Sequence, residues 1–268
     1  MNYLYDSSFE GFLTCVFHHW YTEKAEGIFP DGSYQLDLCR YAMTVGTDAE
    51  KAGRVLDAIT AKLSKWDAQR VYQAFCSTEP EKEMKLLRYI ALGFKEGSKI
   101  RLLHGDPVVK AVEVAERRVG LEVHRLCGLI RFAEVRAQSG RNGRNSPNSP
   151  VRPDSMGSQG GHSLLYAKIE PDNDVLEFLA PHFSDRYKSE PIVIHDLRRE
   201  QALFAYHRKW EIAELAADAV TEKTESELGY SSLWKHYFDA MATKERVNPR
   251  CQRQFMPARY WKHLTEMG

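Results

Sequence analysis

Cysteine is scarce in this 268-residue chain and never clustered: Cys15, Cys39, Cys76, Cys127 and Cys251 are odd in number, far apart and nowhere arranged as C-x-x-C. That excludes a disulfide framework and a zinc knuckle, and without three closely spaced thiolates there is no ligand set for an iron–sulfur cluster. Net charge is lacking too, since 37 Lys and Arg balance 37 Asp and Glu. Any affinity for a polyanion must then come from local charge segregation rather than from a global positive field. No run of about 20 apolar residues is present to span a bilayer, and the opening M-N-Y-L-Y-D has neither a basic n-region nor an apolar h-region. A cytoplasmic protein without a membrane partner is expected. The P-loop, the G-x-S-x-G elbow, the H-E-x-x-H helix and the H-x-E with P-C-x-x-C pattern of zinc deaminases are also missing. No cofactor and no metal are expected.

What is present is ample apolar material, 43% of residues, organised in two ways. The first half, residues 1–127, reads as mostly helical. Ser7 with Glu10 forms a capping box before Phe9, Phe12, Leu13, Val16, Phe17 and Trp20 at the spacing of a buried helix. Residues 34–45 read as an extended segment. Thr47 with Glu50 opens a second helix carrying Ala52, Val55, Leu56, Ile59 and Leu63. Thr78 with Glu81 opens a third, with Met84, Leu87, Ile90, Ala91 and Phe94, and Asp106-Pro107 a fourth, with Val109, Val112 and Val119. From residue 128 to 215 the pattern is strand, strand, helix, strand, strand, strand: 129–135, 164–169, a helix over Val175, Leu176, Leu179 and Phe183 capped by Asp172 or Asn173, then 191–196, 202–206 and 209–214. Residues 138–163, rich in Ser, Gly, Asn, Pro and Arg, predict a disordered loop. The expected architecture is one α+β domain over 1–268: N-terminal helices, a central antiparallel sheet covered by a helix, and C-terminal helices over 225–268, one of them near 231–244.

The densest chemical signal is R-V-N-P-R-C-Q-R-Q-F-M-P-A-R-Y-W-K-H, residues 246–263, which holds five cations and no carboxylate. Arg246, Arg250, Arg253, Arg259 and Lys262 suit phosphates. Phe255, Tyr260 and Trp261 offer flat faces to bases, and Asn248, Gln252 and Gln254 carry paired donors and acceptors. The competing reading is a basic end that folds onto the core with its cations in water.

Four stretches carry a resemblance: Y-D-S-S-F-E-G-F-L-T (residues 5–14), T-D-A-E-K-A-G-R-V (47–55), P-I-V-I-H-D-L-R (191–198) and N-P-R-C-Q-R-Q-F-M-P-A-R-Y-W-K-H-L-T-E (248–266). Through them the chain resembles, nearly end to end, a family of bacterial DNA metabolism proteins, a domain of unknown function encoded beside a radical-SAM protein of DNA modification or repair and sometimes fused to uracil-DNA glycosylase. The resemblance implies a pathway, with DNA and such a catalytic protein as partners, rather than a reaction. Two local departures stand out: Ser7 occupies a position where the family carries Gly, and Tyr206-His207-Arg208 replaces a Tyr-Asp-Gly turn. The 138–163 insert replaces a short hairpin connection.

Among catalytic candidates, His195 beside Asp196 has the right groups for proton transfer, but neighbours on a strand face opposite ways, and Asp196 paired with Arg186, Arg198 or Arg199 is the structural alternative. His182 and Arg186 share a helix face and suit an anion or a surface patch. His18 and His19 are a poor chelating pair. The sequence thus predicts a DNA-binding accessory protein working with a separate catalyst. An enzyme acting on nucleic acid, or an adaptor that never touches DNA, are the alternatives.

Overall fold

The computed structural model describes residues 1–34, 41–136, 163–217, 224–241 and 248–267. Two compact units, Met1–Gly120 and Leu121–Gly268, divide the chain.

In the first unit β1 (Asn2–Tyr5) lies between β2 (Gly27–Pro30) and β3 (Ala42–Thr44) and runs parallel to both. The sequence pattern predicts neither β1 nor β2, because so few residues cannot display a period of two. The expected extended segment 34–45 contains β3, and residues 35–40 lie outside the described ones. α1 (Phe9–Tyr21) starts one residue later than its motif predicts. Ser8, not Ser7, is the N-cap, accepting from the Gly11 amide at 2.9 Å. Ser8 is itself fixed by Asp6, whose Oδ1 accepts from the Ser8 amide at 3.0 Å and hydroxyl at 2.6 Å, while Thr47 donates to Oδ2 at 2.8 Å. A Cβ on Gly11 would lie 2.3 Å from Asp6 Oδ1, so this crossing needs glycine. Ser7 takes φ 67°, a left-handed conformation that costs most residues about 1–2 kcal/mol and glycine very little.

α1 buries Phe12, Leu13, Cys15 and Val16, and Trp20, expected inside, is 42% exposed. α2 (Ala49–Lys62) is capped by Asp48 rather than Thr47, with Oδ1 accepting from the Glu50 and Lys51 amides. α3 (Lys65–Phe75), capped by Ser64, escapes sequence reading because its inner face mixes Ala68, Val71, Ala74 and Phe75 with buried Asp67 and Arg70. Asp67 accepts from Tyr89 and Arg101 at 3.1 and 3.2 Å, and Arg70 pairs with Glu116 at 2.8 Å, which is how these charges are tolerated inside. α4 (Lys82–Glu96) buries Leu86, Leu87, Tyr89 and Ile90, a face rotated from the predicted one so that Ala91 is exposed. α5 (Pro107–Leu129) begins at the predicted Asp106-Pro107 and buries Val109, Val112 and Val119 as expected; Asp106 accepts from the Val108 amide at 2.7 Å.

The second unit carries the five-stranded sheet β4-β5-β6-β7-β8: Ala133–Arg136, Ser163–Ile169, Ile192–Asp196, Gln201–Tyr206 and Lys209–Glu214. β4 is shorter than predicted because α5 continues to Leu129. The predicted loop 138–163 lies outside the described residues except for Ser163, which opens β5. Three of the four strand pairings are antiparallel; the β5–β6 pair is parallel, so the sheet is mixed. The physical reason is α6 (Leu176–Arg186), which carries the chain back across the sheet between these two strands, as a parallel pair requires. α6 buries Leu176, Leu179, Ala180 and Phe183 and packs over β6, β7 and β8. Its cap lies at Val175, after the predicted Asp172 and Asn173, whose side chains are engaged by Arg198 and Arg259 and by Glu122. β6 is buried along its whole length, as befits the middle strand. The β7–β8 hairpin turns on His207 and Arg208 at φ 49° and 62°, a primed turn that favours Asn-Gly or Asp-Gly. This is the position of the second departure. α7 (Glu225–Met241), α8 (Pro249–Phe255) and a 3-10 turn (Ala258–His263) complete the chain, which is α+β with helices before and after a mixed sheet.

Candidate nucleic-acid interface

The C-terminal basic block separates into an anchored half and an exposed half. The anchor is Glu122, on the part of α5 that belongs to the second unit and only 2% exposed. Its Oε1 accepts from the Asp172 amide at 3.0 Å, from Arg259 Nη2 at 2.8 Å and from the Tyr260 hydroxyl. Oε2 accepts from the Asn173 amide and side-chain Nδ2 at 2.8 and 2.7 Å. Burial works against the charge, but the Tyr260 hydroxyl and the Asn173 and Asp172 amides outweigh it and hold the carboxyl below its ordinary range. Tyr260 is 3% exposed, so its ring packs in the core and its hydroxyl is pushed up in pKa by that burial. Arg259 also pairs with Asp172.

Lys262 pairs with both oxygens of Glu170, at 2.6 and 2.7 Å, and lowers the Glu170 pKa. His263 lies 3.3 Å from the same carboxylate without hydrogen-bond geometry, and burial lowers its pKa. Trp261 is half-buried and donates its indole N–H to the Met256 carbonyl at 2.9 Å. Of the residues predicted to contact nucleic acid, Tyr260 is thus buried, Trp261 is half-buried, and Arg259 and Lys262, though exposed, are paired with carboxylates from outside the segment.

α8 is different. Asn248 uses its side-chain oxygen as the N-cap, accepting from the Cys251 amide at 3.0 Å. Arg250, Arg253, Gln254 and Phe255 are exposed, Gln252 is half-buried, and among the described residues neither arginine has an ion-pair partner. Phe255 is 68% exposed. Arg246 lies outside the described residues.

His195 is fully buried. Its Nε2 donates to the Leu215 carbonyl at 3.0 Å, which leaves Nδ1 to accept from the Tyr166 hydroxyl at 2.6 Å. Burial lowers the His195 pKa and pushes Tyr166 up to about 12. Asp196 is equally buried and closes the turn after β6, accepting from the Arg198 and Arg199 amides and from Arg199 Nη1 at 2.8 Å. Both nitrogens of His195 are engaged, and Asp196 faces a different set of partners, so the pair is not assembled for proton transfer. His182 is exposed, its ring edge-on to Phe183. Among the described residues no group of three His, Cys, Asp or Glu side chains is placed to hold a metal ion.

One feature of the second unit has no counterpart in the sequence predictions. α7 exposes Tyr230, Leu233, Trp234 and Tyr237, and with Phe132, Tyr187 and Arg186 this stripe lines an open groove of about 1000 Å³. The spacing is visible in the sequence, but an apolar stripe on a helix reads as a core face until its exposure is known.

The fold and this surface define an α+β protein with an exposed basic helix and an aromatic groove. Residues 80–266 match the model of DUF4130, a domain of unknown function, and the chain belongs to that family. No curated protein and no solved structure matches it. Among the described residues no helix is long and apolar enough to cross a membrane.

Proposed function

We propose that the chain is a DNA-binding accessory protein of DNA repair or modification that acts with a separate catalytic partner, a radical-SAM protein or a uracil-DNA glycosylase. The observation that carries the reading is α8: two exposed arginines without carboxylate partners among the described residues, an exposed glutamine and an exposed phenylalanine on one short helix. Between Asn248 and Thr265 the sequence holds no carboxylate at all. Unpaired guanidiniums release counterions from a phosphate backbone, whereas arginines already neutralised by the protein contribute little. Arg250 and Arg253 are therefore the phosphate contacts, with Gln254 and Phe255 beside them; Arg259 and Lys262 hold the segment in place. The family resemblance supplies the pathway and the partner class.

Titration with fluorescent DNA at several salt concentrations tests it. Arg250→Ala and Arg253→Ala should each weaken binding and flatten the log–log salt slope by about one unit. Binding by both variants with wild-type affinity and slope rejects α8 as the contact surface.

A further inference from the structure

The groove beside α7 lies in the same unit as α8, and its chemistry extends the reading above, on which this inference rests. Five of its lining residues are aromatic: Phe132, Tyr187, Tyr230, Trp234 and Tyr237. Tyr230 and Tyr237 are 68% and 54% exposed, and among the described residues their hydroxyls have no hydrogen-bond partner. Trp234 and Tyr237 lie with ring centroids 5.8 Å apart at 32°, Trp234 held by its indole N–H on Glu266 at 3.2 Å. Flat rings with free polar edges suit a flat, polar-edged ligand better than they suit aliphatic side chains.

The charges point the same way. Arg186 is exposed on the groove wall, its guanidinium 5.8 Å from the Tyr187 ring, with no ion-pair partner among the described residues. The one acidic residue of the lining, Glu227, is already engaged, accepting from the Glu134 amide at 3.1 Å and the Ser231 hydroxyl at 2.7 Å. Arg131 is held by Glu266 at 2.8 Å. Arg186 is the cation of the groove that no ion pair among the described residues occupies. Thr265, near the end of the segment that begins with α8, forms part of the wall.

We propose that this groove binds unpaired bases of single-stranded DNA, which stack on Tyr230, Trp234 and Tyr237 while Arg186 meets the phosphate backbone. The test compares oligo-dT with an abasic deoxyribose-phosphate oligomer of equal length, using the intact protein. Wild type should prefer oligo-dT by about tenfold or more, the value of one or more stacked bases. The double variant Tyr230→Ala/Tyr237→Ala, which leaves Trp234 alone of the three rings, should lose most of that preference with its salt slope unchanged, and Tyr230→Phe/Tyr237→Phe, which keeps the rings, should retain it. Both tyrosines are exposed, so these variants fold. Equal binding of the two oligomers by wild type overturns the groove as a base site and leaves α8 as a DNA contact; a protein seated on the aromatic stripe gives this outcome too. A preference in the alanine variant equal to that of wild type also overturns it. Binding of neither oligomer at low salt overturns this inference and the DNA-binding reading together.

Discussion

Replacing Glu122 by Gln removes one charge and almost no volume, and it tests whether the basic terminus is anchored through this carboxylate. Five donors converge on the wild-type side chain, three on Oε1 and two on Oε2. An amide has one oxygen, which best serves the Oε1 side, and its NH2 then confronts the Asn173 amide and Nδ2. Two buried donors lose their acceptor, at about 1–3 kcal/mol each, so Glu122→Gln should cost about 2–5 kcal/mol. Tyr260→Phe, which removes a single donor, should cost about 1–2 kcal/mol. Urea unfolding followed by circular dichroism measures both. The linkage adds a signature: Glu122 titrates below its ordinary value in the folded protein, so its contribution is complete above an unfolded-state pKa of about 4.3 and is lost as pH falls through the lower folded value. Stability of wild type should fall across that acid window more steeply than that of the Gln variant. A Gln variant within about 1 kcal/mol of wild type, with the same acid slope, would refute the reasoning.

Other expectations follow from backbone strain, packing and titration. His207→Asn with Arg208→Gly should stabilise the β7–β8 hairpin by about 1–2 kcal/mol, read as a higher Tm, since both positions have positive φ. Ser7→Gly should raise Tm by the smaller margin of about 0.5–1 kcal/mol, strain relief being partly offset by the entropy of the unfolded chain. Gly93→Ala should destabilise by about 1–3 kcal/mol in the same assay, because the new Cβ would stand 2.3 Å from the Cδ2 of buried Leu63. Burial lowers the His195 pKa in the fold, so stability should decline as pH drops below about 6.5, where the unfolded chain takes up the proton first; His195→Gln should flatten that decline in urea titrations at each pH.

Some elements were legible because their signals are local. Asp106-Pro107 opens α5 as a cap and a first-turn proline must, and the strands from Ile192 to Glu214 follow apolar runs broken by turns. Caps were legible only to within a residue. Ser7 and Ser8 are chemically alike, as are Thr47 and Asp48 as acceptors, and the choice between them is made by Asp6, which ties Ser8 and Thr47 together across the fold. α3 was hidden by Asp67 and Arg70, which look like surface residues until Tyr89, Arg101 and Glu116 are seen beside them.

The basic block shows the same division. Its composition marked the segment as chemically special, and that much depends on residue types alone. Sequence also determined the α+β class and the order of strands and helix around residues 128–215. Only the tertiary structure decided which cations are available: Arg259 and Lys262 meet Glu122, Asp172 and Glu170, residues remote in sequence, whereas Arg250 and Arg253 meet none among the described residues. It likewise decided that Tyr260 lies in the core while Tyr230 and Tyr237 lie in the open. The reason is physical. A side chain's type fixes what it is able to bind, but its burial and its long-range partners fix whether that capacity is already used.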